Sequence, residues 1–241
     1  MNKIDTLAII PARYASTRLT AKPLLKLAGK ELVLRVWAGV CQSRQVDRII
    51  VATDHEEIMR VVEKAGGEAV MTPSHLPTGN DRVAYVAQKI PSHFVLNVQG
   101  DDPMVSTGHI DPLISALKAD PERKLSVLAK KIDNPDEINR SSIVKIVFDQ
   151  NGQALYFSRS AIPFSSNADA VYYKHIGPYA WQRQALFKFT SWPRTPLEKV
   201  ENLEMLRLLE NGANIKCLIT EIDTIEIDTP QDVEEFEKLL G

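Results

Sequence analysis

Thr6-Leu7-Ala8-Ile9-Ile10-Pro11 is a short, nearly all-apolar run that stops at a proline and gives way to the polar, basic stretch Ala12-Arg13-Tyr14-Ala15-Ser16-Thr17-Arg18. A strand buried on both faces of a parallel sheet reads this way, because it has no solvent face on which polar residues could alternate. The same unit recurs downstream. The spacing predicts a helix over Leu32–Ser43, a strand over Arg48–Thr53 ending at Asp54, and a helix over Glu56–Ala65 closed by Gly66-Gly67. It then predicts a strand over Glu68–Met71, a helix over Asp81–Lys89, and a strand over Phe94–Val98 that ends at Gln99-Gly100-Asp101-Asp102-Pro103. Such alternation implies an α/β chain with a parallel sheet covered by helices on both faces, and ligands of such sheets sit beyond the carboxyl ends of the strands. Three polar loops, Ala12–Pro23, Thr53–His55 and Gln99–Pro103, are expected to converge there.

After a helix over Ile110–Leu117 the pattern changes. Lys124–Lys130, Ile143–Phe148 and Ala154–Phe157, with a turn at Asp149–Gly152, read as antiparallel strands that extend the sheet or form a β-rich lobe. Ala161–Ala170 lacks periodicity and reads as a loop. Thr195–Asn211 reads as one helix with Leu197, Val200, Leu203, Leu206 and Leu209 on a shared face. Ile215–Ile219 and Ile225–Ile227 read as strands, and Thr229 caps a terminal helix over Gln231–Leu240 with Pro230 in its first turn. No repeat or linker divides the chain, so one domain spans 1–241.

With 241 residues, 44% hydrophobic and 25% charged, the chain carries enough apolar material for a full core. A net charge of −2 provides no basic field for nucleic acid or anionic membrane, and no apolar run is long enough to span a bilayer. Met1–Ile4 leads straight into the first strand without a secretory pattern, so a cytoplasmic location is expected. Cys41 and Cys217 lack metal-ligand spacing and read as small buried hydrophobes.

The first loop places Arg13, Arg18 and Lys22 directly after a strand. Arginine binds phosphate oxygens in a bidentate manner and lysine adds a point charge, so the loop suits a polyphosphate, although a solvated basic loop has the same composition. It is no Walker A loop, because the glycine spacing is absent. Asp101 and Asp228 each follow an apolar run. They could converge on the basic loop and hold a magnesium ion that bridges a triphosphate; taken singly, each could equally be a turn or cap residue.

These segments, taken in order, resemble the CMP-Kdo synthetases, the 3-deoxy-manno-octulosonate cytidylyltransferase family. The resemblance rests on Ile9-Ile10-Pro11-Ala12-Arg13-Tyr14-Ala15-Ser16-Thr17-Arg18-Leu19 with Lys22-Pro23-Leu24. It continues through Val51-Ala52-Thr53-Asp54, Thr78-Gly79-Asn80-Asp81-Arg82, Asn97-Val98-Gln99-Gly100-Asp101 and Ala154-Leu155-Tyr156-Phe157-Ser158-Arg159. His175-Ile176-Gly177 with Tyr179, Pro196-Leu197-Glu198, and Asp228-Thr229-Pro230 with Asp232 complete it across nearly the whole chain.

The resemblance implies a Rossmann-like nucleotidyltransferase fold, usually homodimeric, with the β-rich stretch 124–195 serving sugar binding and dimerisation. It implies Mg2+ between Asp101, Asp228 and the phosphates of CTP, and Arg13, Ser16, Arg18 and Lys22 around the triphosphate. Thr78, Gly79, Asn80, Arg82 and Gln99 would serve the nucleotide. Gln99, Tyr156, Arg159, His175, Tyr179 and Glu204 would surround an acidic sugar, with Arg159 on its carboxylate; read alone, His175 would be a structural histidine. The implied reaction is attack of the sugar's anomeric hydroxyl on the α-phosphorus of CTP, with pyrophosphate leaving.

The chain departs from the family at several places. Thr20-Ala21 stands where Pro-Gly is usual before Lys22, Asn80 where Thr is usual, Met205 where Gln is usual, and Pro178 and Trp181 where Val or Ile and Tyr are common. A glycine at positive φ replaced by Ala21 would reshape the loop. Met205 removes an amide beside a polyhydroxylated sugar, which directs attention to relatives of Kdo such as its 8-amino-8-deoxy analogue. Two other readings compete. A nucleotidyltransferase making UDP- or CDP-linked products would carry a glycine-rich first loop, and a non-catalytic CTP-binding protein would have no reason to keep Arg13, Lys22, Asp101 and Asp228 together.

Overall fold

The computed structural model describes residues 4–15, 19–166 and 170–240. In chain order the elements are β1 (Thr6–Ala12), the two-residue strands β2 (Lys26–Leu27) and β3 (Lys30–Glu31), α1 (Leu32–Val40), β4 (Arg48–Thr53), α2 (Glu56–Lys64), β5 (Glu68–Met71), α3 (Gly79–Lys89) and β6 (Phe94–Asn97). There follow α4 (Thr107–Ala119), β7 (Leu125–Lys131), β8 (Lys145–Phe148), β9 (Ala154–Ser158), β10 (Tyr173–Gln182) and α5 (Arg183–Ser191). The chain continues through α6 (Pro196–Glu201), α7 (Met205–Glu210), β11 (Ile215–Thr220) and α8 (Pro230–Leu240).

The main sheet runs β11-β7-β10-β6-β1-β4-β5. β1 pairs in parallel with β4 and β6, β4 with β5, and β7 with β11, while β10 is antiparallel to β6 and β7. The β8–β9 hairpin branches off β10, so the β-rich stretch continues the central sheet. Alternation along β1 shows why the first run is apolar throughout: Leu7 and Ile9 enter the core on one face, and Ala8, Ile10 and Ala12 enter it on the other. α3 and α5 cover the first face, and α1, α2 and α4 cover the second. Among the described residues no helix is long and apolar enough to cross a membrane.

Several expectations need correction. Thr195–Asn211 is two helices, α6 and α7, broken at Asn202, whose φ of 53° is left-handed. The buried pair of Glu198 and Arg207, 2.6 Å apart, turns α6 so that a carboxylate faces inward. Leu197 and Val200 are therefore exposed, whereas Leu206 is buried. Ile225–Ile227 is not a strand; its Ile227 N–H donates to the Asp101 carbonyl at 2.8 Å. Cys41 lies past the last buried turn of α1 and is exposed, while Cys217 is buried as expected. β10 and α5 had no clear signature, because Gly177-Pro178 reads as a turn yet sits inside β10, where the register shifts between Ile176 and Ala180.

Candidate active site

The expected convergence of loops occurs. Lys22, after β1, places Nζ 2.8 Å from Asp101 Oδ2, after β6, and 2.8 Å from Asp228 Oδ1, before α8. The lysine is 12% exposed, but the two carboxylates keep 29% and 31% of their side-chain surface, so their oxygens remain reachable. Desolvation alone would lower the Lys22 pKa; Asp101 and then Asp228 outweigh it, and the net shift is upward. Two features allow the close approach. A Cβ at Gly100 would overlap the Pro11 carbonyl oxygen, and Ala21 enters the turn before Lys22 at φ 52°. Ala21 thus occupies the left-handed region expected of a glycine.

The pair offers hard oxygen ligands at one point, which suits a divalent cation. Among the described residues no group of three or more His, Cys, Asp or Glu side chains forms a fuller cage. Two protein carboxylates with the remaining ligands supplied by phosphate and water is the usual arrangement for magnesium.

The pair opens onto a cavity of about 680 Å3, lined by Gln99, Arg159, His175, Tyr179 and Glu204 as the sequence implied, and also by Met205. Tyr156 is not part of the lining; its neighbour Phe157 is. The two residues project to opposite faces of β9, so a one-residue step decides which reaches the cavity. His175 stacks on Tyr179 with ring centroids 5.3 Å apart, and Phe157 meets its ring edge-on at 5.1 Å. Desolvation pulls the His175 pKa down to about 4, so its ring is neutral at neutral pH. Among the described residues its buried Nε2 has no hydrogen-bond partner, and buried Glu204 Oε1 meets the Arg207 guanidinium at 3.8 Å. Burial also raises the Glu204 pKa. Gly177 leaves the space that the Gln99 side chain fills, since a Cβ there would lie 2.8 Å from Gln99 Cγ. Arg159 donates Nε to the Glu201 carbonyl at 3.1 Å and Nη1 to the Ser141 carbonyl at 2.8 Å.

The nucleotide residues divide. Thr78 caps α3 by accepting from the Asp81 N–H at 3.2 Å, and Gly79 packs against Pro11. Asn80 and Arg82 are buried, with 1% and 2% of their surface exposed. Asn80 Nδ2 donates to Glu204 Oε2 at 3.1 Å, and Asn80 Oδ1 accepts from Asn97 Nδ2 at 2.9 Å. Arg82 pairs with Asp54 at 3.0 Å and donates to Thr72 Oγ1. Asp54 Oδ1 in turn accepts from the Tyr14 N–H at 2.8 Å, and the Tyr14 ring stacks on His55 at 3.7 Å. Arg82 therefore anchors the basic loop through Asp54. Arg13 is exposed on that loop, and Ser16 and Arg18 lie outside the described residues. Sequence reasoning gave no site role to Asp54, Arg140, Phe157 and Lys174; the quoted motifs Val51-Ala52-Thr53-Asp54 and Ala154-Leu155-Tyr156-Phe157-Ser158-Arg159 carried a signal for Asp54 and Phe157.

A family model described as Cytidylyltransferase matches residues 7–217. The 3-deoxy-manno-octulosonate cytidylyltransferase of Thermodesulfovibrio yellowstonii is 42% identical, over 98% of this chain and 98% of its own. That of Desulfatibacillum aliphaticivorans is 43% identical over 98% and 99%. Among solved structures, CMP:2-keto-3-deoxy-manno-octonic acid synthetase complexed with CTP superposes with a TM-score of 0.94 at 36% identity, covering 98% of both chains. The 4-diphosphocytidyl-2C-methyl-D-erythritol synthase of Anaerococcus prevotii, at TM-score 0.66 and 19% identity, shares the fold.

Proposed function

The chain belongs to the cytidylyltransferase family, among the 3-deoxy-manno-octulosonate cytidylyltransferases, and from that premise we propose that it joins CTP to Kdo, giving CMP-Kdo and pyrophosphate. One observation carries the reading: the carboxylate pair that shares Lys22 opens directly onto a cavity lined by Gln99, Glu204 and His175, whose buried Nε2 has no hydrogen-bond partner among the described residues. A triphosphate needs the first feature and a polyhydroxylated sugar the second.

In this reading the sugar's anomeric oxygen bonds to the α-phosphorus, the bond from that phosphorus to the bridging oxygen breaks, and pyrophosphate departs. Asp101 and Asp228 would hold Mg2+, which when bound supplies charge neutralisation at the phosphates and lowers the pKa of the hydroxyl. Lys22 holds the two carboxylates together and adds a fixed cation beside them, and Arg13 adds a second on the exposed loop. Arg159 takes the sugar carboxylate, while Gln99, His175, Tyr179 and Glu204 orient its hydroxyls. The neutral His175 ring serves as a hydrogen-bonding group and carries no charge to the site.

The exposed apolar side chains Leu155, Phe164, Val171 and Val200 support a homodimer formed through this β-rich side of the sheet; sedimentation of the protein reads its mass directly. CTP as co-substrate supports a cytoplasmic site of action. Met205 favours one second reading, a related ulosonic acid, because it brings an apolar wall into the cavity.

The test is pyrophosphate release with CTP and Mg2+ across Kdo, 8-amino-Kdo and sialic acid, with UTP and ATP as nucleotide controls. Release with CTP and Kdo is expected. Release with 8-amino-Kdo alone would favour the second reading, and no release from a protein that still binds CTP would refute both.

A further inference from the structure

Lys145 opens β8 with none of its surface exposed. An ammonium in such a place is costly unless each of its donors is used, and no described carboxylate forms an ion pair with it. Its three donors go to three backbone carbonyls: Arg140 at 3.0 Å, Ile143 at 2.7 Å and Arg159 at 2.6 Å. All three acceptors belong to residues that line the cavity. They come from the two ends of the β8–β9 hairpin, the lead into β8 and the exit from β9, so a single ammonium sutures them.

The suture fixes the backbones of two cavity arginines. Arg159 is held further by its bond to the Ser141 carbonyl, which lies inside the sutured lead. Arg140 is exposed at the cavity, and no other described residue engages its guanidinium. Lys174, the other cation of this wall, is already neutralised by Glu137 at 2.8 Å and Asp223 at 3.0 Å. Two arginines whose backbones share one ammonium and which both line the cavity, Arg140 with its guanidinium unengaged by the described residues, offer donors suited to a planar carboxylate.

We propose that Lys145 is a positioning residue which, by tying the backbones of Arg140 and Arg159 together, lets the two arginines clamp the carboxylate of the acidic sugar. The proposal rests on the reaction proposed above. It also explains why a charge persists where an apolar side chain would fill the same space: a methionine could pack there but could not gather three carbonyls.

The test compares Lys145→Met, Lys145→Gln and Arg140→Ala with the unmodified protein by steady-state pyrophosphate release. For Lys145→Met, KM for Kdo is expected to rise tenfold or more, with KM for CTP and the CTP-induced rise in Tm within twofold of the unmodified protein. Lys145→Gln keeps a donor for the carbonyls and should recover part of the loss. Arg140→Ala should raise KM for Kdo by itself and add little in combination with Lys145→Met. Equal rises in both KM values, or an unchanged KM for Kdo, would overturn the proposal. So would loss of the CTP response in both Lys145 variants, which would make the ammonium a folding element alone. Failure of the substrate reading is seen separately, as silence of the unmodified protein with Kdo; the comparison then uses the acidic sugar it accepts.

Discussion

Asp102 stands next to the metal-site carboxylate Asp101 and is expected to weaken the native state at neutral pH. It is 3% exposed, its Oδ1 accepts from the Met104 N–H at 2.9 Å, and its Oδ2 is buried without a partner. Desolvation, with smaller additions from Asp101 and Asp223, outweighs the opposing pull of the Thr224 hydroxyl and the Met104 N–H and pushes its pKa from 3.8 up to about 6. The folded protein therefore binds more protons than the unfolded chain between these two values. Stability falls as pH rises through that window, and the full penalty, about 3 kcal/mol at about 1.4 kcal/mol per pKa unit, applies above it. Asp102→Asn removes the charge, keeps an acceptor for Met104 and supplies a donor toward Thr224. Allowing for imperfect replacement, the variant should gain about 1–3 kcal/mol at pH 7.5, or roughly 3–10 °C in Tm for a chain of this size. At pH 3.8 or below, where the native acid is already neutral, the gain should vanish. Urea unfolding at both pH values measures it. A gain of equal size at both, or a loss at pH 7.5, would refute the assignment of a buried, uncompensated charge.

Asp101→Asn should lower kcat by at least about a hundredfold with Tm changed little, since it removes a cation ligand from a side chain that is partly open to solvent; pyrophosphate release and a melting curve decide it, and retained turnover removes Asp101 from the metal site. Arg82→Met breaks a pair whose members are 2% and 8% exposed, so a loss of about 3–5 kcal/mol is expected together with a higher KM for CTP through the Tyr14 loop; an unchanged Tm would contradict the burial argument. Met205→Gln should shift the preference among ulosonic acids, because residue 205 lines the cavity. Equal relative rates before and after the change would show that it does not meet the sugar.

The apolar strands β1 and β4 were legible because their runs end at a break: β4 lies where the spacing puts it, and β1 runs one residue past Pro11; the half-exposed edge strand β5 also falls at its expected place. The meeting of Lys22, Asp101 and Asp228 was also legible, since strand ends of a parallel sheet gather by topology. Burial of polar motif residues was not. Asn80 and Arg82 look like ligand groups in a linear string, and only packing reveals that their donors are spent on Glu204, Thr72 and Asp54. The break between α6 and α7 was hidden because its leucines fit one helical stripe, while the decisive feature was a buried ion pair nine residues apart. Tyr156 and Phe157 differ by a single step of strand parity, which an apolar string cannot fix.

β10 runs against each strand beside it and pairs Tyr179 with Asn97, the last residue of β6. Its first six residues thus extend past the point where β6 stops, and the wall bearing His175 is the beginning of one strand facing loops that are the ends of others. The two halves of the cleft are consequently carried largely by different stretches of chain. Exchanges within 140–178 would remodel the part of the wall that bears Arg159 and His175 without altering the stretch that carries Lys22 and Asp101, so acceptor preference can change there while the donor side stays as it is.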